Sequence, residues 1–218
     1  MGNRCIIATQ EDYNNNGAGL YLHWNGGRDS VEGFLMYAKL QGCRGGGYGL
    51  ARLAQYIGNW FGGTLSVGIE PARCGAGDDN GVYIINDNFE IIDRKELFEG
   101  FEEQNEYDIW EVVEAVNEAQ PAGVAIPEAI LHKMVMMERY PISYAEKLEL
   151  ITVGTEVYMR DFAGRFERCT VKGFGKPGQV CNGHDVEGIP YVDRYDGTGD
   201  YSRNANNYIF EQTEMYFA

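Results

Sequence analysis

The chain has 218 residues with 33 acidic and 18 basic side chains, a net charge of −15, and at about 150 residues per domain this length predicts two modest domains. That balance excludes a protein that wraps DNA or RNA in the ordinary way, which needs surplus Lys and Arg, and it disfavours an anionic membrane surface as partner. With 44% hydrophobic, 13% aromatic and 23% charged residues, the chain buries a sizeable core rather than staying disordered.

No stretch approaches the ~20 apolar residues that span a bilayer, and Met1 to Gln10 shows no leader pattern, so the expected location is the cytoplasm. Cys5, Cys43, Cys74, Cys169 and Cys181 form an odd set without a Cys-x-x-Cys pair, which predicts reduced, mostly buried thiols rather than a disulfide framework. Eighteen of the 29 glycines fall in the first 92 positions and only two between 93 and 150. This distribution divides the chain into a glycine-rich head, a helical middle and a turn-rich tail.

The head begins with strand-type runs at Cys5–Thr9 and Leu20–Trp24, separated by the turn-rich Asp12–Gly19. A helix follows, with Asp29 or Ser30 as N-cap and Asp29 with Glu32 as a capping box. A second runs from about Tyr48 to Phe61, with Leu50, Leu53, Ala54 and Ile57 at helical spacing. The segment Gly42–Gly49 between them reads as a flexible connector, because it lacks the Gly-Lys-Ser/Thr ending of a phosphate loop and a preceding strand. Strands are then predicted at Thr64–Ile69 and in a hairpin of Val82–Ile85 with Phe89–Ile92. Together these give an α+β head, a mostly antiparallel sheet with helices packed on one face.

Positions 93 to 118 alone carry −8 of the net charge. They contain a predicted helix at 108–119, capped by Asp108 with Glu111, in which Ile109, Val112, Val113 and Val116 face one side and Glu111, Glu114 and Glu118 the other. Another helix is expected from Pro127 to about Arg139, with Ile130, Met134 and Met137 on one face, and Pro141 ends it. The acidic helical segment thus covers about 93–140 of a first domain at 1–150. Short strands at Thr155–Met159, Phe166–Phe174, Ile189–Asp193 and Tyr208–Glu211 predict a small SH3-like β-barrel at 151–218.

Three features carry candidate chemistry. In His23-Trp24-Asn25-Gly26-Gly27-Arg28-Asp29-Ser30 a strand feeds a helix N-terminus, so Arg4, His23, Asn25, Arg28, Ser30 and Arg44 could hold a nucleotide or small anion. The competing reading is turn chemistry, with Asn25-Gly26 supplying positive φ and Asp29 capping the helix, an arrangement to which Asp29 adds negative charge. Cys5 with His23 has the composition of a thiol nucleophile and base, set against a buried thiol in an apolar run. Cys181-Asn182-Gly183-His184 has half the spacing of a zinc site and reads as a turn. No catalytic set, metal site or cofactor is expected. The acidic face of Glu103, Glu111, Glu114 and Glu118 is either a solvated helix surface or a partner surface that imitates nucleic-acid phosphates.

Asn3-Arg4 before an Ile-rich strand, followed by Tyr21-Leu22-His23-Trp24-Asn25-Gly26-Gly27 entering a helix, resembles an uncharacterised phage- and prophage-associated protein family over about the first 120 residues. Val153–Tyr158 and Tyr208–Phe210 are similar to small barrels appended to phage-encoded proteins. The resemblance implies a mobile-element setting and no particular reaction. The expected protein is a non-enzymatic accessory factor that binds a host protein, itself a nucleic-acid-handling one, as an inhibitor of a defence system. It is expected to make no direct DNA or RNA contact.

Overall fold

The computed structural model describes residues 3–63, 66–74, 79–97, 101, 107–139, 142–160, 165–194 and 200–218. It contains two compact units, Met1–Ala125 and Ile126–Ala218, in a mixed α+β architecture.

In the first unit, strands β1 (Cys5–Thr9), β2 (Ala18–Leu22), β3 (Val67–Pro71), β4 (Val82–Ile85) and β5 (Ile91–Lys95) form one sheet in the order β3-β2-β1-β4-β5. All neighbours are antiparallel except β1 and β4, which run parallel with Ile6 beside Val82 and Ala8 beside Ile84. These two central strands are covered on both faces, so they read as unbroken apolar runs rather than alternating ones. On one face Ile6, Ala8, Val82 and Ile84 cluster with Ala72, Tyr13 and Tyr21. Tyr13 comes from a short helix, α1 (Gln10–Asn15), which overlaps the segment Asp12–Gly19 expected to be a turn. Thr9 caps it, accepting from the Asp12 N–H at 3.0 Å while its hydroxyl donates to the Asp12 carboxylate at 2.6 Å.

Helices α2 (Arg28–Leu40), α3 (Gly46–Trp60) and α4 (Ile109–Glu118) complete the unit. α3 packs on β1 and β3, and α2 packs on both α3 and α4. The α2 N-cap is Gly27 without a side-chain bond, so the helix begins ahead of the expected Asp29 or Ser30 cap. Asp108 caps α4 as its sequence predicts, accepting from the Trp110 N–H at 2.8 Å. The β4–β5 connection is longer than the expected three residues. Asn86 organises it by accepting from the N–H groups of Asn88 and Glu90.

The α2–α4 crossing is close enough to require a glycine. A Cβ on Gly33 would lie 2.6 Å from Val112 Cβ and Cγ1. Polar side chains lock the same three helices: the Tyr37 hydroxyl donates to Asn117 Oδ1 at 3.1 Å, Asn59 donates to Gln120 Oε1 at 2.9 Å, and Gln120 donates to the Tyr56 and Val116 carbonyls.

The second unit starts earlier than the change of sequence pattern near residue 150. It takes in α5 (Glu128–Arg139) and α6 (Tyr144–Leu150), since Lys133 donates to the Phe217 carbonyl at 3.0 Å and Tyr144 to the Ile209 carbonyl at 2.9 Å. Ser143 and Glu146 form a reciprocal capping box at the start of α6. Of the methionines on α5, Met134 is buried and Met136 is exposed.

Strands β6 (Glu156–Arg160), β7 (Phe166–Phe174), β10 (Pro190–Val192) and β11 (Met215–Phe217) make an antiparallel sheet in the order β10-β7-β6-β11. Its core is Ile151, Val157, Met159, Cys169, Val171, Val192, Ile209 and Met215. A separate hairpin pairs β8 (Val180–Cys181) with β9 (His184–Asp185). No sheet closes into a barrel among the described residues. The expected strand Tyr208–Glu211 makes one bridge, Tyr208 with Tyr191. It then turns back, with Phe210 and Thr213 bonded to one another.

Gly33→Ala is expected to lower stability by about 1–3 kcal/mol through overpacking against Val112, although Ala is the better helix former by about 1 kcal/mol. Val112→Ala in the same chain should recover part of the loss in urea unfolding. Unchanged or increased stability of the single variant would rule out the close crossing.

Candidate functional site

The His23–Ser30 segment is built against the start of β1. Asn25 adopts positive φ (56°), and Gly26 N–H donates to the Asn3 carbonyl at 2.7 Å. A Cβ on Gly26 would lie 2.7 Å from the backbone of Asn3, Arg4 and Cys5, so the turn fits only if this residue is glycine. From β4, the Tyr83 hydroxyl donates to the Gly26 carbonyl at 3.1 Å. From β5, Arg94 donates to the Asn80 carbonyl and Oδ1 and stacks on the Tyr83 and Phe101 rings at 4.3 and 4.4 Å. Asn3, Asn80, Tyr83 and Arg94 thus hold the turn in place, and sequence reasoning singled out none of them for this. Their signal is pairing between distant segments, visible only once β1 and β4 are known to be neighbours.

Two of the candidate anion donors, Arg4 and Arg28, already have anionic partners within the protein. Arg4 makes a forked pair with Asp79, Nε to Oδ2 at 3.0 Å and Nη2 to Oδ1 at 3.2 Å, and its backbone N–H donates to the same carboxylate at 2.9 Å. The Arg4 guanidinium holds the Asp79 carboxyl below its ordinary range, with burial opposing. Arg28 pairs with Glu32 at 2.7 Å one turn along α2. Asp29 is buried, and it accepts from the Ser30 N–H at 2.7 Å and the Tyr107 N–H at 2.6 Å. A carboxylate therefore already sits at the positive end of α2. Ser30 is fully buried, and its hydroxyl has no hydrogen-bond partner.

Arg44 is not brought to this cluster. It follows the far end of α2, where Lys39 pairs with Glu90 at 3.7 Å and Gly49 abuts Phe89, while His23, Asn25 and Ser30 gather at the helix's beginning. A helix of 13 residues separates the two ends by about 20 Å.

Cys5 and His23 also point apart. Cys5 lies opposite Leu22 in the ladder and shares its face, whereas His23 shares the other face with Tyr21, their side chains joined by a 2.8 Å Tyr21 OH–Nδ1 hydrogen bond. Burial pushes the Cys5 thiol far above the ordinary thiol range, Arg94 opposing only in part. Cys181 and His184 flank the Asn182-Gly183 turn of the β8–β9 hairpin, both turn residues at positive φ. Among the described residues no cluster of His, Cys, Asp and Glu is placed to hold a metal ion, and no helix is long and apolar enough to cross a membrane.

The acidic face is present on α4. Glu111, Glu114 and Glu118 are exposed, while Val112, Val113 and Val116 are buried against the unit's core. No Lys or Arg lies on this helix, so no basic neighbour on α4 neutralises the three carboxylates. Glu103 lies outside the described residues. The crossing at Gly33 and the Tyr37–Asn117 bond fix how the face is presented.

Two measurements test these assignments. The lowered Asp79 pKa contributes stability above the unfolded-state value near 4, and that contribution is lost as pH falls through the folded-state value. Asp79→Asn should therefore cost about 1 kcal/mol at pH 7, the gap from wild type closing below about pH 4 in denaturant titrations; a gap constant with pH would contradict the pairing. In the native protein at about pH 8, iodoacetamide should label the exposed Cys74 and spare Cys5; equal labelling of the two by mass spectrometry would overturn the inert reading of Cys5. Compared with protein-family models, curated proteins and solved structures, the chain matches none.

Proposed function

We propose that this is a non-enzymatic accessory protein of the phage-associated type, acting in the host cytoplasm, that binds a nucleic-acid-handling host protein through α4 and inhibits a defence system. The observation that supports this most directly is the rigid mounting of Glu111, Glu114 and Glu118 on one exposed face. Successive carboxylates at one helical turn's spacing present about 5.4 Å between charges along the axis. This row is sparser than the one charge per about 3.4 Å of a nucleic-acid strand, but it has the same sign and a regular spacing, which a basic groove built for phosphates attracts. Because the helix is clamped, little side-chain and backbone order is lost on docking, which favours affinity. The C-terminal unit, read as SH3-like, adds a contact surface of its own.

The test compares the wild type with a triple variant, Glu111→Lys, Glu114→Lys and Glu118→Lys. Partners captured by the wild type at low salt should be released by competing duplex DNA or RNA, and by raising ionic strength, which shortens the screening length below about 10 Å. The variant should bind them about 100-fold more weakly. Its stability should fall by no more than about 1–2 kcal/mol, chiefly because a Lys replaces Glu111 in the first turn of α4. If the same partners bind the variant equally well, or resist nucleic-acid competition, the reading is wrong.

A further inference from the structure

The C-terminal unit holds a cleft of ≈ 390 Å³, within the range of about 300–1,000 Å³ typical of small-molecule sites. Two arginines line it, Arg160 at the end of β6 and Arg194 just past β10. Their side chains are only 11% and 14% exposed. The Arg160 guanidinium lies 4.3 Å over the Phe166 ring, and its Nε donates to Glu214. Arg194 donates through Nε to Glu167 at 2.8 Å and through Nη2 to the Arg160 carbonyl at 3.1 Å.

The burial within these pairs is lopsided. The cations are fixed in the wall, whereas Glu214 and Glu167 are 43% and 46% exposed. A solvated carboxylate on a flexible side chain is a partner that a phosphate can replace, since phosphate accepts from the same guanidinium forks and carries more charge.

The same cleft offers a surface for a flat ring. Phe210 and His184 lie 5.5 Å apart with their planes at 53°, and Tyr208 stands 6.1 Å from Phe210. Tyr208 is held by Gln179 and the Ser202 carbonyl, so this aromatic wall is pre-arranged. Asn206 adds an exposed amide. Its neighbour Asn207 holds the Arg194 and Tyr201 carbonyls through Nδ2, yet its buried Oδ1 has no hydrogen-bond partner.

We propose that this cleft binds a nucleoside monophosphate, its base against Phe210 and His184 and its phosphate on Arg194 and Arg160 in exchange for a glutamate. The net charge of −15 repels a polyanion such as RNA, but charges beyond about 10 Å are screened, so a single inserted phosphate responds mainly to the two guanidinium groups and to the paired Glu214 and Glu167 carboxylates, at least one of which swings aside.

Calorimetric titration of the full chain with the four ribonucleoside monophosphates tests the site, with adenosine and inorganic phosphate as controls. At least one nucleotide should bind with a sub-millimolar Kd, and each control at least about tenfold more weakly. His184→Ala, at an exposed hairpin position, should weaken binding about tenfold without lowering Tm, and Arg194→Gln should weaken it further. The absence of binding by all four nucleotides at several millimolar would overturn the proposal, as would affinity unchanged in His184→Ala. Inorganic phosphate binding as tightly as the nucleotide would overturn the assignment of the ring.

Discussion

Where α2 and α4 cross, the missing side chain of Gly33 leaves room for the Val112 isopropyl group, and the two helix backbones approach closely. The presentation of the acidic face depends on this contact. It sets which residues of α4 turn inward, and it brings Asn117 within reach of the Tyr37 hydroxyl and Gln120 within reach of α3. An amphipathic helix with only an apolar stripe could rotate by a fraction of a turn and still bury most of that stripe. The buried polar bonds remove this freedom, because any rotation would leave Asn117 and Gln120 without partners in a dry environment.

The turn at the start of α2 shows the same economy. Its residue types, His, Trp, Asn, Gly, Arg and Ser, are those of many ligand sites, yet Asn25, Gly26, Arg28 and the neighbouring Asp29 are engaged inside the protein. Asn25 takes the positive φ, Gly26 admits the β1 backbone, and Asp29 occupies the helix end where an external anion would sit. Arg4 and Arg28 have intramolecular carboxylates. A sequence shows the types of these groups, while pairing partners as remote as Asp79 and Tyr107 decide whether they remain available.

Legibility followed the range of the interactions involved. The apolar stripe and Asp108 cap of α4, the β7 span and the Asn182-Gly183 turn depend on neighbours a few residues away, and the sequence showed each of them. Helices α1 and α6 also carry local capping signals, Thr9 with Asp12 and Ser143 with Glu146, but both are short and neither buries an apolar stripe of its own, so periodicity missed them. The parallel β1–β4 pair, the Arg94 stack and the position of the C-terminal strands depend on distant partners. Nothing local distinguishes Tyr208–Glu211, which turns back, from Met215–Phe217, which pairs with β6.

The parallel pairing of β1 with β4 also orders events during synthesis. β1 can zip onto β2 as soon as the first hairpin leaves the ribosome, but its other edge, carrying Ile6 to Thr9, stays open until Val82–Ile85 has been made. In that interval α3 emerges without the finished sheet that it packs on and α2 without α4, and an apolar strand edge is exposed to any other nascent chain. Fragments ending before β4 should therefore be prone to self-association rather than folding, and the N-terminal signature cannot be studied as a peptide or short fragment. Its shape exists only after the chain has closed on itself from the far side of the sheet.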